Sequence, residues 1–187
     1  DFGYSDDDSV AVIYGIVFDD LNSNAEQDLQ EPGLADAGVA LNNTASITTT
    51  GNGLVTGTFT FLVSTESVYA MHETNPEGYR STTPDNIHVP VALGHSYLVT
   101  FGDTRNPDVA TIYGTAFNDL DGDGVQDAGE VGLPGVVISV TVGGYPGILT
   151  TTTRSYGQYT YGFDVDEAGY HTVSEQDPAL PGYRSTT

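Results

Sequence analysis

The sharpest chemical pattern in this sequence is the run Asp119-Leu120-Asp121-Gly122-Asp123-Gly124-Val125-Gln126-Asp127-Ala128-Gly129-Glu130. Carboxylates stand at its positions 1, 3, 5, 9 and 12: Asp119, Asp121, Asp123, Asp127 and Glu130. Position 7, Val125, offers its backbone carbonyl, and Gly124 at position 6 allows a sharp turn. That spacing fits a twelve-residue calcium loop position by position. Five crowded carboxylates repel one another unless a hard cation with six to eight oxygen ligands gathers them. Without the ion, the run is expected to be frustrated and mobile.

A less acidic version stands 99 residues earlier: Asp20, Asn22, Asn24, Glu26, Asp28 and Glu31. Asparagine carbonyls can ligate, so the donor set survives with less charge. Ala25 replaces the glycine of position 6, and a strained turn and a weaker site follow. The expected cofactor is therefore calcium (Ca2+), one ion per loop, with the fuller donor set in the second. The flanks are not helical. Ile112 to Phe117 and Gly135 to Val140 read as strands, so each ion should sit on the pole of a β-domain.

The elements that must position these loops repeat. Val12-Ile13-Tyr14-Gly15 returns as Thr111-Ile112-Tyr113-Gly114, and Phe18-Asp19-Asp20-Leu21 as Phe117-Asn118-Asp119-Leu120. Gln27-Asp28, Glu31 and Gly33-Leu34 return as Gln126-Asp127, Glu130 and Gly132-Leu133. Gly78 to Thr83 returns as Gly182 to Thr187, offset by 104. Two tandem domains follow. Their periodicity is 2. Val136, Ile138, Val140 and Val142 alternate with Val137, Ser139 and Thr141, and Tyr159, Tyr161, Phe163 and Val165 with Gln158, Thr160, Gly162 and Asp164. Phe59, Phe61 and Val63, then Ile87, Val89 and Val91, then Tyr97, Val99 and Phe101 behave likewise, which marks half-buried strands. Gly51-Asn52-Gly53, Asn75-Pro76-Glu77-Gly78 and Asp177-Pro178 to Pro181-Gly182 punctuate them as turns. The expected fold is all-β: two tandem antiparallel β-sandwich domains of about seven strands, Ig-like or prealbumin-like, with calcium loops between the first two strands.

Composition removes whole classes of function. Of 187 residues, 26 are acidic and 4 basic, for a net charge of -22. Nucleic acid and anionic membrane surfaces would be repelled. All four basic residues are arginines, so a lysine Schiff base, a P-loop lysine and a lysine cross-link are impossible. Cysteine is absent, which excludes disulfides and zinc-thiolate sites. No apolar run approaches the roughly 20 residues of a membrane span, and no signal peptide is expected at the N-terminus.

The Ile-Tyr-Gly-x-x-Phe-Asn-Asp stretch, the Asp119–Glu130 loop, Gly-Leu-Pro-Gly-Val and Glu-x-x-Pro-x-Gly-Tyr together resemble the calcium-binding B-type domains of Sdr-type cell-surface adhesins. These are related to the collagen-adhesin B (prealbumin-like) fold. The resemblance covers both copies. It implies extracellular stalk modules that calcium stiffens and protects from proteolysis. Many collagen-adhesin B-type domains carry a Lys–Asn isopeptide cross-link, and sortase pilins join through lysine; a chain without lysine can do neither.

Other candidates carry less. His72, His88, His95 and His171 read as ordinary strand or loop residues. Glu73 and Glu175 align at a strand end and could brace a turn or approach an ion. No Gly-x-Ser-x-Gly elbow occurs and no carboxylate pair stands out, so an enzyme is not expected. Asp6-Asp7-Asp8 reads as a solvated linker, and Asn42-Asn43-Thr44 is a glycosylation sequon. The expected function is an extracellular structural module of a cell-surface stalk or filament; the competing one is an adhesin module recognising a host protein or glycan.

The expected boundaries are 1–9 for the end of a preceding repeat or a donated strand plus acidic linker, 10–103 for the first domain, 104–109 for a linker, and 110–187 for the second. Phe2-Gly3 lies 11 residues before Ile13, as Phe101-Gly102 lies before Ile112. Thr187 aligns with Thr83, so the second domain lacks counterparts of residues 84–100. A longer tandem array, or a strand donated by a neighbouring copy, would complete it. The expected partners are therefore copies of the chain itself, head to tail, with no nucleic acid and no membrane insertion.

Overall fold

Alternating Val, Ile, Phe and Thr give strands throughout the computed structural model, which describes residues 8–42, 45–49, 56–142, 148–164, 169–176 and 183–186. No helix occurs among the described residues, so the all-β expectation holds. Phe2-Gly3, Asp6-Asp7, Asn43-Thr44, the Gly51-Asn52-Gly53 turn and the Asp177 to Gly182 turn lie outside them.

The first half forms two sheets. One has the order β4 (Thr58–Val63), β1 (Ala11–Asp19), β8 (Ser96–Thr104), β6 (Arg80–Ser81). The other has the order β3 (Ala45–Thr48), β2 (Gly38–Leu41), β5 (Ser67–Thr74), β7 (Asn86–Val91). In β4, Phe59, Phe61 and Val63 point inward while Thr60 and Leu62 face out, as the period of 2 demands. They meet Ile13, Val17, Val39, Met71, Ile87, Val89, Val99 and Phe101 in one buried core. Burial of such side chains, at roughly 1.5–3 kcal/mol each, is the main force holding the two sheets together.

The antiparallel expectation needs one correction. β1 pairs with β8 in parallel, Gly15 opposite Val99 and Val17 opposite Phe101. The cause is connectivity: β7 and β8 belong to different sheets, so residues 92–95 carry the chain across the core instead of closing a hairpin. With the two-residue β6, the described residues of this half form eight strands rather than about seven.

The second half has β11 (Ile148–Thr152), β10 (Val137–Val142) and β13 (His171–Gln176) in one sheet, and β12 (Gln158–Asp164) paired with β9 (Val109–Thr115) in another. Val136, Ile138 and Val140 are buried, and Leu133 and Tyr159 pack on a smaller cluster of Ala116, Val136 and Ile138. Residues 105–108 join the halves, and residues of the Gly-Tyr-Arg motif hold them. The Arg80 guanidinium donates to Asn106 O and to Val109 O at 2.5 Å, and Arg105 stacks on the Tyr79 ring at 4.1 Å.

Candidate metal centre

Each acidic loop hangs between two strands whose ends are tied together beneath it. Residues 20–31 lie between β1 and β2, and residues 119–130 between β9 and β10. Phe18 bridges Gly33 and Phe117 bridges Gly132. Below each bridge, Leu34 N donates to Val17 O and Leu133 N to Ala116 O, both at 2.7 Å.

Above the bridges the two loops share one hydrogen-bond skeleton. The glutamate at position 12 fastens each loop to itself. Glu130 accepts from Leu120 N at 2.6 Å and Asp127 N at 3.0 Å; Glu31 accepts from Leu21 N and Asp28 N, both at 2.9 Å. Both glutamates are buried. The aspartate at position 1 takes the amide of position 6, Gly124 N at 3.0 Å and Ala25 N at 2.8 Å. Position 3 takes the amide of position 5, and position 5 that of position 7. These bonds curl the backbone around the side-chain oxygens of positions 1, 3 and 5.

Charge separates the two. In the second loop the carboxylate oxygens of Asp119, Asp121 and Asp123 lie within 4.8 Å of one another. Asp121 accepts the Asp123 N–H, which lowers its pKa, but desolvation and the charges of Asp123, Glu130 and Asp119 leave it raised overall. Asp119 is lowered, first by a hydrogen bond from Thr186 and further by backbone N–H groups of Gly124, Gly122 and Asp123. In the first loop, the Asn22 and Asn24 amides donate to Asp28 Oδ2 at 2.8 and 3.1 Å and relieve that crowding.

The donors fit a calcium ion: all are hard oxygens. Asp119, Asp121, Asp123, the Val125 carbonyl, Asp127 and Glu130 would hold one; Asp20, Asn22, Asn24, the Glu26 carbonyl, Asp28 and Glu31 would hold a second. A bound ion would supply charge neutralisation there, and the strand ends and glutamate braces the geometry. Asp123→Ala should therefore weaken calcium binding about tenfold or more, matching the roughly 1.5–3 kcal/mol of a contact to a charged group. Asn24→Ala should cost less, because it removes no charge. Calorimetry giving equal losses would contradict this.

In the sequence Glu73 could brace a turn or approach an ion. The structure buries it almost completely, with Oε1 unpartnered. Turned so that its nitrogen faces Glu73, the Asn75 amide donates to Oε2 at 3.0 Å. Burial, and then the charges of Asp103 and Asp85, push the Glu73 carboxyl up to about 9. Asp103, also buried, is pushed up to about 7 by burial and by Asp85, Asp19 and Asp20. The alternation Met71–Glu73 in β5 is the signal that puts Glu73 on the core face. A carboxyl whose pKa rises on folding stabilises most below its unfolded value, and that stability fades as pH climbs toward the folded value. In chelator, the wild type should melt higher at pH 5 than at pH 8, and Glu73→Gln should flatten much of that difference. A variant with the wild-type pH slope would rule out a neutral buried Glu73.

The aligned Glu175 is exposed on β13. His88 is buried, its Nδ1 3.0 Å from the Glu130 carbonyl, so it touches the second loop from the first half.

Residues 110–187 match the family model of the SdrD B-like domain. The resemblance carried by the Asp119–Glu130 loop and its flanks thus points to the family whose model matches this half. Relatives align across both halves. Serine-aspartate repeat-containing protein F of Staphylococcus epidermidis is 29% identical over 184 residues, covering 91% of this chain and 11% of that protein. Serine-aspartate repeat-containing protein C of Staphylococcus aureus is 28% identical over 179 residues, covering 87% and 18%. The chain therefore spans between a tenth and a fifth of the length of these relatives. Among solved structures, a streptococcal ancillary pilin aligns with a TM-score of 0.41 at 13% identity, over 95% of this chain and 58% of that one. The shaft pilin SpaA of Lactobacillus rhamnosus GG aligns with a TM-score of 0.37 at 13% identity, over 93% and 88%.

Proposed function

We propose that this chain is a structural piece of an extracellular cell-surface stalk or filament: two tandem β-modules, each stiffened at one pole by a calcium ion, joined head to tail with copies of itself or with further repeats. The observation that carries this is the shared skeleton of the two loops. The same oxygens recur at the same positions, braced by the same buried glutamate, and in the second loop three carboxylates crowd together. The match to the SdrD B-like domain and the serine-aspartate repeat relatives supports the surface location.

The mechanism is mechanical. Empty, a loop of like charges flexes about its strand ends. Filled, its first and last residues are tied through one centre, so β1 is held to β2 and β9 to β10. A rod of such modules resists bending and denies proteases an open loop. The test is melting and limited proteolysis in calcium and in chelator. Cleavage within residues 119–130 should appear in chelator and vanish in calcium.

A further inference from the structure

We propose that Arg154, presented by the second half, is a positioning residue for the first calcium loop, so that this loop is completed across the boundary between the halves; the inference rests on the calcium reading above. Arg154 sits in the turn between β11 and β12, which is fixed by Arg154 N to Gln158 O at 2.8 Å and Gly157 N to Arg154 O at 2.9 Å. Its guanidinium reaches the outer side of the first loop. Nη1 donates to Ala25 O, and Nη2 to Asn24 O at 3.0 Å and to Glu26 Oε1 at 3.3 Å. Two neighbours press the same surfaces together. Tyr156 Oη donates to Leu98 O at 3.1 Å, and a Cβ on Gly162 of β12 would stand 2.6 Å from Ser23 O.

Backbone strain gives this contact its purpose. In the second loop positions 4 and 6 are left-handed glycines, Gly122 (φ 80) and Gly124 (φ 79). Their counterparts in the first loop are Ser23 (φ 56) and Ala25 (φ 62). A side chain in that conformation is disfavoured, so the first loop cannot rely on intrinsic preference to hold its turn. The three bonds from Arg154 span Asn24, Ala25 and Glu26, the residues that carry the side chain of position 5 and the carbonyl of position 7. They fall on the position 5 and 6 carbonyls and the position 7 carboxylate, leaving the ligand oxygens free. A guanidinium spreads five donors over a rigid planar fork and so reaches spaced acceptors together, whereas an ammonium is a compact point charge with three donors on one atom.

The experiment is a calcium titration of the full chain followed by NMR, with amides of residues 22–31 reading the first loop and those of 121–130 the second. Arg154→Ala should weaken the first loop about tenfold and leave the second unchanged. Arg154→Lys should restore only part of the loss. Adding Ser23→Gly and Ala25→Gly to Arg154→Ala should recover the affinity, because glycine adopts the turn unaided; loss of an ordinary packing contact would not be rescued this way. In chelator, hydrogen exchange at Asn24 to Glu26 should rise in Arg154→Ala. Equal first-loop affinity in Arg154→Ala and wild type, or failure of the glycines to rescue, overturns the proposal alone. If the wild type binds no calcium in the first loop, the calcium reading fails and takes the proposal with it.

Discussion

Chelating calcium is expected to lower the melting temperature of this chain by roughly 5–10 °C for each site that had been filled. A ligand that binds only the folded state stabilises it by RT ln(1 + [L]/Kd), about 2.7 kcal/mol at a hundredfold excess over Kd. For a chain of this size melting as one body, each kcal/mol moves the midpoint by about 2–4 °C. Extracellular calcium modules bind at about 10⁻⁴–10⁻³ M, so a hundredfold excess means about 10–100 mM calcium, and the shift should grow with the logarithm of the calcium concentration. Asp119, Asp121 and Asp123 supply the driving force, since their oxygens lie within 4.8 Å of each other and repel until a cation joins them. Sodium at equal ionic strength serves as the control, because general screening of the -22 net charge would act without calcium. Identical melts in calcium and in chelator would sink the calcium reading of both loops.

The loops were legible because their chemistry is local. Twelve consecutive residues hold every donor, and the flanking alternation of Val136, Ile138 and Val140 already says strand and not helix. The β1–β8 pairing was not legible, because alternation names the buried face of Val99 and Phe101 but not the direction of the strand beside them. The spacing of two from Met71 does place Glu73 on the core face, but its charge argues for solvent, and only burial among other groups decides between them. Arg154 and His88 could not. Each reaches a loop of the opposite half, 129 residues away for Arg154 and 42 for His88, and no periodicity reports a contact at that separation.

The glycine of the repeated Ile-Tyr-Gly motif gives the second large effect, and the two copies should respond differently. Gly15 lies in the middle of β1, between Phe59 of β4 and Val99 of β8. A Cβ there would stand 1.7 Å from the Val99 carbonyl oxygen and 2.7 Å from the Phe59 ring. No rotamer relieves an overlap with backbone, so β8 must move off β1 and take Val99 and Phe101 out of the core. Gly15→Ala should therefore cost at least the roughly 1–3 kcal/mol of a forced core insertion, seen as a lower melting temperature in chelator. Because β1 runs straight into Asp20, the same variant should also weaken calcium binding at the first loop and spare the second. Gly114 is the control. Its Cβ would come closest to the Tyr159 side chain, 2.6 Å from the hydroxyl, and a side chain can give way where a backbone carbonyl cannot. Gly114→Ala should cost less than Gly15→Ala, because only Tyr159 and its packing on Ala116, Val136 and Ile138 must adjust rather than a strand. If Gly15→Ala melts like the wild type, β8 does not lie in parallel against β1, and the packing that carries the first loop must be redrawn.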